Sequence, residues 1–140
     1  MANFTGAQRT NYVMFKPEKL SEVQEYLGQF EIELSPHSTR PEFHCLLASQ
    51  YSSEGVFSTW SKDENGAVIG LEMGWVAEQM MEGQVLVVML AGHEKLRYII
   101  GSAGAWNSKG ESIFLSLSDI YTKAAEAFQV DESSITACNY

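Results

Sequence analysis

Residues 85–128, VLVVMLAGHEKLRYIIGSAGAWNSKGESIFLSLSDIYTKAAEAF, carry the strongest folding signals of this 140-residue chain. Val85 to Leu90 is a continuous, β-branched apolar run. Gly92-His93-Glu94 interrupts it, and an extended pattern resumes at Leu96 and lasts to Trp106. Two such runs separated by a short break predict a hairpin, with a buried central pair of strands as the natural reading. In the second strand a period of two puts Gly101, Ala103 and Ala105 on one face and Tyr98, Ile100, Ser102, Gly104 and Trp106 on the other. Asn107-Ser108-Lys109-Gly110 then turns the chain, with Gly110 in the left-handed position, into a strand at Ser112 to Leu115. Ser116 and Asp119 stand at capping-box spacing, and Leu115 and Ile120 are placed as a hydrophobic staple, although Asp is shorter than the usual Glu or Gln. The helix that follows carries Ile120, Ala124 and Phe128 on one stripe with Tyr121 beside them. Its small Ala124 is expected to sit against Ala103 or Ala105. From Asp131 to Tyr140 the signals fade and the tail is expected to fray.

Upstream, the apolar run Tyr12 to Phe15 reads as a short strand. Leu20, Val23, Leu27 and Phe30 then recur at helical spacing, with Glu18, Glu22 and Glu25 between them. Pro17 suits a first helical turn and Gly28 an end, so a helix is predicted over 17–28. Glu31 to Leu34 alternates as a strand that ends at Ser35-Pro36, and Phe43 to Ser49 is a further, weaker strand. Val56 to Ser61 and Ala67 to Met73 flank Asn65-Gly66 as a hairpin. Gly74 to Gly83 reads equally as two helical turns or as a continued strand. The sum is one α+β domain spanning 1–140, with a mostly antiparallel sheet of about five to seven strands and two main helices, about 17–28 and 117–128, packed on one face. Strands this closely spaced leave no room for the repeated crossovers of a parallel sheet.

Eighteen acids against nine bases give a net charge of -9, with no basic run to neutralise a phosphate backbone, so direct nucleic-acid binding is not expected. Such a charge serves solubility or, if the acids cluster, a contact with a basic partner. Two cysteines cannot define a disulfide framework, the N-terminus lacks the regions of a signal peptide, and no apolar run reaches membrane-spanning length. A cytoplasmic protein without membrane association is expected.

The densest ionisable group, His93, Glu94 and Arg97, falls at a hairpin tip. It is the candidate ligand or partner site, against the simpler reading of a solvated turn. Trp75 with Met80 would make an adhesive patch if their segment is a helix with both outward; core is the simpler reading. His37, His44 and Cys45 are suitable zinc ligands, but their spacing matches no common finger, so no metal is assigned. Cys45 lacks a placed base and Cys138 lies near a chain end, so no catalytic residue and no cofactor is assigned either. Gly101, Gly104 and Gly110 do not lead into a helix as a phosphate loop requires. Ser116, Ser118 and Asp119 read as a cap more than as an anion site.

Residues 94–101 (EKLRYIIG), 105–111 (AWNSKGE) and 117–121 (LSDIY) together resemble a group of small acidic proteins encoded on phages, plasmids and integrative elements. The resemblance covers about residues 83–128 and implies a setting in bacterial mobile DNA without an activity. The function expected on these grounds is a non-enzymatic accessory or protein-interaction protein acting through an acidic surface. The alternatives are a small ligand-binding domain or enzyme centred on His93, Glu94 and Arg97, and a self-associating structural protein that uses an edge strand or the Trp75 region.

Overall fold

A computed structural model describes residues 4–50, 55–95 and 97–138, with the side chains of Phe4 and Thr5 outside the description. Nine strands and three α-helices follow in the order β1 (Phe4–Thr10), β2 (Val13–Met14), α1 (Leu20–Gly28), β3 (Ile32–Pro36), β4 (Phe43–Ala48), β5 (Trp60–Lys62), β6 (Val68–Gly70), α2 (Met73–Glu78), β7 (Val85–Glu94), β8 (Tyr98–Asn107), β9 (Ser112–Ser116) and α3 (Asp119–Phe128). Seven of the strands form one antiparallel sheet; β5 and β6 form a separate pair. The α+β class, the antiparallel sheet and the two predicted helices are all present. A 3-10 turn at Pro17–Lys19 leads straight into α1, so the predicted 17–28 segment is helical throughout.

From β1 the sheet grows in two directions. One side pairs with β7, from Phe4 opposite Glu94 to Thr10 opposite Val88, and then β8 and β9 follow as a meander. Past Thr10 the chain crosses to β4 through β2, and β3 closes that end. Asn11 bridges the change of partner. Its side chain accepts from the Val87 N–H (2.8 Å) and donates to the Val85 carbonyl (2.9 Å), so two backbone groups of β7 stay bonded where the strand departs. Thr10, buried beside it, accepts the Leu46 N–H at 2.8 Å.

The core lies over β2, β3, β4 and the first half of β7. Val23 and Leu27 of α1, Phe30, Phe57, and Val76, Ala77 and Met80 of the α2 segment meet Val13, Phe15, Ile32, Leu34, Leu46, Leu86 and Val88 in one contiguous cluster. Helical spacing places Val23 and Leu27 on one side of α1, with Phe30 just beyond its end, where the exposed Glu22 and Glu25 cannot follow. The segment left ambiguous by its sequence, 74–83, is helix α2 as far as Glu78 and beyond it makes an isolated antiparallel bridge from Met80 to Phe15. It turns Met80 fully inward and leaves Trp75 half-buried on Tyr26, ring centroids 4.7 Å apart, so an outward Trp75/Met80 patch does not form.

Other expectations are adjusted by pairing. Gly92-His93-Glu94 does not break the hairpin: β7 runs through it to Glu94, and the turn is made at Lys95, whose φ of 52° is left-handed. Leu96, expected to resume the strand, lies outside the described residues. The β7–β8 pair is not buried on both faces, because helices cover one face only; Met89 and Val85 are exposed. At the β5–β6 turn Gly66 supplies the positive φ of 79°, and the Asp63 carboxylate accepts the N–H groups of Asn65 and Ala67, both at 2.9 Å. The tail does not fray over its described part. It forms a 3-10 turn at Glu132–Ser134 that packs on α3, and the Cys138 N–H donates to the Tyr121 hydroxyl at 2.7 Å.

Candidate interaction surface

The turn Asn107–Gly110 is built as its residue types require. Gly110 takes φ 83°, and the Asn107 side chain accepts the N–H groups of Lys109 and Glu111, both at 3.0 Å. This turn delivers β9 to the outer edge of the meander, paired to β8 from Trp106 opposite Ser112 to Ser102 opposite Ser116. Among the described strands β8 is its one partner. Register assigns its faces. Leu86 pairs with Trp106, and Trp106 with Ser112, so Ser112, Phe114 and Ser116 share the core side while Ile113 and Leu115 share the far side with Ala105, Ala103 and Met89.

On neither side are these side chains covered. Ile113 is 75% exposed, Phe114 70% and Leu115 60%. Met89 on the far face is 62% exposed, and Leu117, Ile120 and Phe128, after β9 and along α3, are exposed as well. The contact predicted between Ala124 and the small residues of β8 is not how the helix packs. It has no buried residue and makes its main element contact with the 3-10 turn at 132–134. The place over Gly101 is taken by Leu117, whose side chain a Cβ there would meet at 2.6 Å. Smallness alone gave the helix little apolar area to hold. Gly104 seats two rings: a Cβ would lie 2.8 Å from Trp106 and 3.0 Å from Phe114. Those two rings meet edge-on at 5.2 Å. Beside them a groove of about 410 Å³ opens, lined by Gln8, Val88, Leu90, Ser102, Phe114 and Asp119 among others.

The capping motif works in one direction. The Asp119 carboxylate accepts the Ser116 N–H at 2.8 Å, as the acid of a capping box does, and Ser116 and Ser118 hydroxyls bond at 2.7 Å. The helix begins at Asp119, two residues later than predicted, with Ser118 at its N-cap and no side-chain cap hydrogen bond there. Asp131 caps the tail: its carboxyl is held below the usual value by hydrogen bonds from the Ser133 N–H (3.0 Å) and then from the Ser133 hydroxyl (2.9 Å).

His93 and Glu94 are consecutive in β7, hence on opposite faces, and pair with Ile99 and Tyr98. Arg97 is in the exposed turn, tied to Glu94 by a backbone hydrogen bond of 2.9 Å. Trp75 supports the core. His37 accepts the Thr39 and Arg40 N–H groups at 3.2 and 3.1 Å and meets Tyr12 edge-on, a local turn lock. Cys45 is fully buried in β4, Cys138 is exposed, and His44 keeps a buried Nδ1 with no partner among the described residues. Among the described residues no three His, Cys, Asp or Glu side chains gather as a metal-holding group, and no helix is long and apolar enough to cross a membrane. Ile113, Phe114 and Leu115 escaped the sequence reading as a site; the usable signal was an uncharged apolar strand placed last in a meander, where a partner on both sides is not assured.

Comparison with protein-family models, with curated proteins and with solved structures gives no match.

Proposed function

We propose that the chain is a non-enzymatic protein-interaction module whose contact surface is the apolar edge formed by β9 with the adjoining parts of β7, β8 and α3. One observation supports this above all: three consecutive large apolar residues, Ile113, Phe114 and Leu115, stand exposed on a sheet edge with no charged residue in its strand, the Asp119 carboxylate capping it at the Ser116 end. An edge of this kind is a template for another chain, and soluble proteins usually blunt it with charge, proline or a covering loop. Burial of each such side chain is worth about 1.5–3 kcal/mol, a driving force the isolated chain leaves unused. The net charge of -9 keeps a molecule with such a surface in solution. The stretch resembling mobile-element proteins, residues 83–128, coincides with this surface, and the setting in mobile DNA is part of the proposal.

Lys109 and Lys123 flank the surface, in the turn before β9 and within α3. Amine-directed cross-linking of native extract and of purified protein, read by mass spectrometry, is expected to join one or both lysines to another chain, identical or different. Leu115→Glu is expected to abolish those links. Their absence from both preparations contradicts the reading.

A further inference from the structure

The occupant of this edge is determined by the edge itself. Resting on the interaction surface above, we infer that β9 pairs with β9 of a second copy, antiparallel, about a two-fold axis at Phe114. Three features of the strand converge on this arrangement.

The first is sequence symmetry. Ser112-Ile113-Phe114-Leu115-Ser116 reads nearly the same in both directions, so a two-fold at its centre sets Phe114 opposite Phe114, Ile113 opposite Leu115 and Ser112 opposite Ser116. Each residue meets its own kind in size and polarity, which is the condition for an isologous contact.

The second is the direction of the backbone. The Leu117 N–H donates to the Gly101 carbonyl (2.8 Å), and the Asn107 N–H to the Glu111 carbonyl (3.0 Å). Odd-numbered residues of β9 therefore face β8, and the N–H and C=O of Ser112, Phe114 and Ser116 face away from it. Asp119 already takes the Ser116 N–H. At the centre of what remains is Phe114, whose outward pair is what a two-fold antiparallel ladder exchanges with its mate.

The third is the contrast with the opposite edge. β3 ends in Pro36 and exposes Glu33, the usual means of blunting a strand, so β9 does not find a second acceptor in β3 of another copy. Pairing then closes as a dimer and does not propagate as a filament. Ile113, Phe114 and Leu115 stand on the pairing strand itself, exposed in the isolated chain, so the two-fold sets each against an apolar side chain of its mate. Glu111 and Asp119 flank the strand in each copy, and both copies carry -9, so salt should strengthen the dimer by screening, the reverse of docking on a basic partner.

The test combines mass and register. Purified protein at about 0.1 mM, a concentration that saturates a micromolar contact, should sediment at twice the monomer mass, more completely at high salt. Phe114→Lys should sediment as a monomer with unchanged circular dichroism. In a Cys138→Ser background under oxidised glutathione, Phe114→Cys should form a covalent dimer with itself. Ile113→Cys should do so readily only when mixed with Leu115→Cys. A wild-type monomer at high salt, an open series of masses, or equal disulfide yields for every pairing overturns the two-fold. If cross-links from Lys109 or Lys123 to a different protein persist alongside a monomer, the interaction surface stands and the self-pairing falls.

Discussion

The half of the sheet under α1 and α2 and the half formed by β8 and β9 use the same apolar residue types and treat them in opposite ways. Every hydrophobic residue buried in the core, from Val13 to Val88, belongs to the first or to the elements covering it. Twelve of the sixteen large exposed hydrophobics among the described residues lie from Val85 onward. The residues differ less than their cover does: two helices and the Phe57 segment close the first half, whereas α3 turns to the tail. A Phe at position 30 has no exposure and one at 128 is 74% exposed, which makes the division measurable.

The largest expected effect breaks the comparison at its two ends. Phe30→Ala should cost about 3–5 kcal/mol in urea unfolding, and Phe128→Ala under about 0.5 kcal/mol. Comparable losses from both would show that α3 is covered within the monomer. At the boundary between the halves, Gly104→Val forces a side chain into the Trp106 and Phe114 rings and should cost about 1–3 kcal/mol by the same measurement; a neutral result would mean the rings are not seated there. Thr10→Val, which strands the buried Leu46 N–H, should cost about 1–3 kcal/mol and act on the covered half, seen as faster amide exchange in β4. The smallest effect belongs to the tail. Because the Asp131 carboxyl is lowered in the folded chain, its cap is at full strength above the unfolded value of 3.8 and is lost as pH falls through the folded one. Exchange at Ser133 should rise over that acid range, and Asp131→Asn should remove the dependence.

The sequence announced these elements unevenly. Local chemistry was legible: Pro17 and the 3.6-residue spacing located the first helix, Gly66 and Gly110 marked turns, and Asp119 acted as a capping acid. Cover was not. The pattern of Val85 to Trp106 fits a strand pair buried on two faces as well as on one, because an apolar run records burial potential and not the neighbour that realises it. Ala103 and Ala105 suggested a seat for α3, but a small-residue face offers little area, and α3 lies instead beside the polar turn 132–134, where the Thr122 hydroxyl donates to the Glu132 carboxylate. The His93, Glu94 and Arg97 cluster was dense only along the chain; a strand sends neighbours to opposite faces. The palindrome around Phe114 became meaningful once β9 was known to be an edge.

The two edges of the sheet give the most direct test. Amide hydrogen exchange of the wild-type chain should be followed from about 0.5 μM to about 0.1 mM, concentrations that bracket a micromolar dissociation constant. Protection should rise with concentration across residues 112–116 of β9 and stay constant across residues 32–36 of β3. Concentration-independent exchange in β9, or protection that appears at β3 instead, would contradict the account.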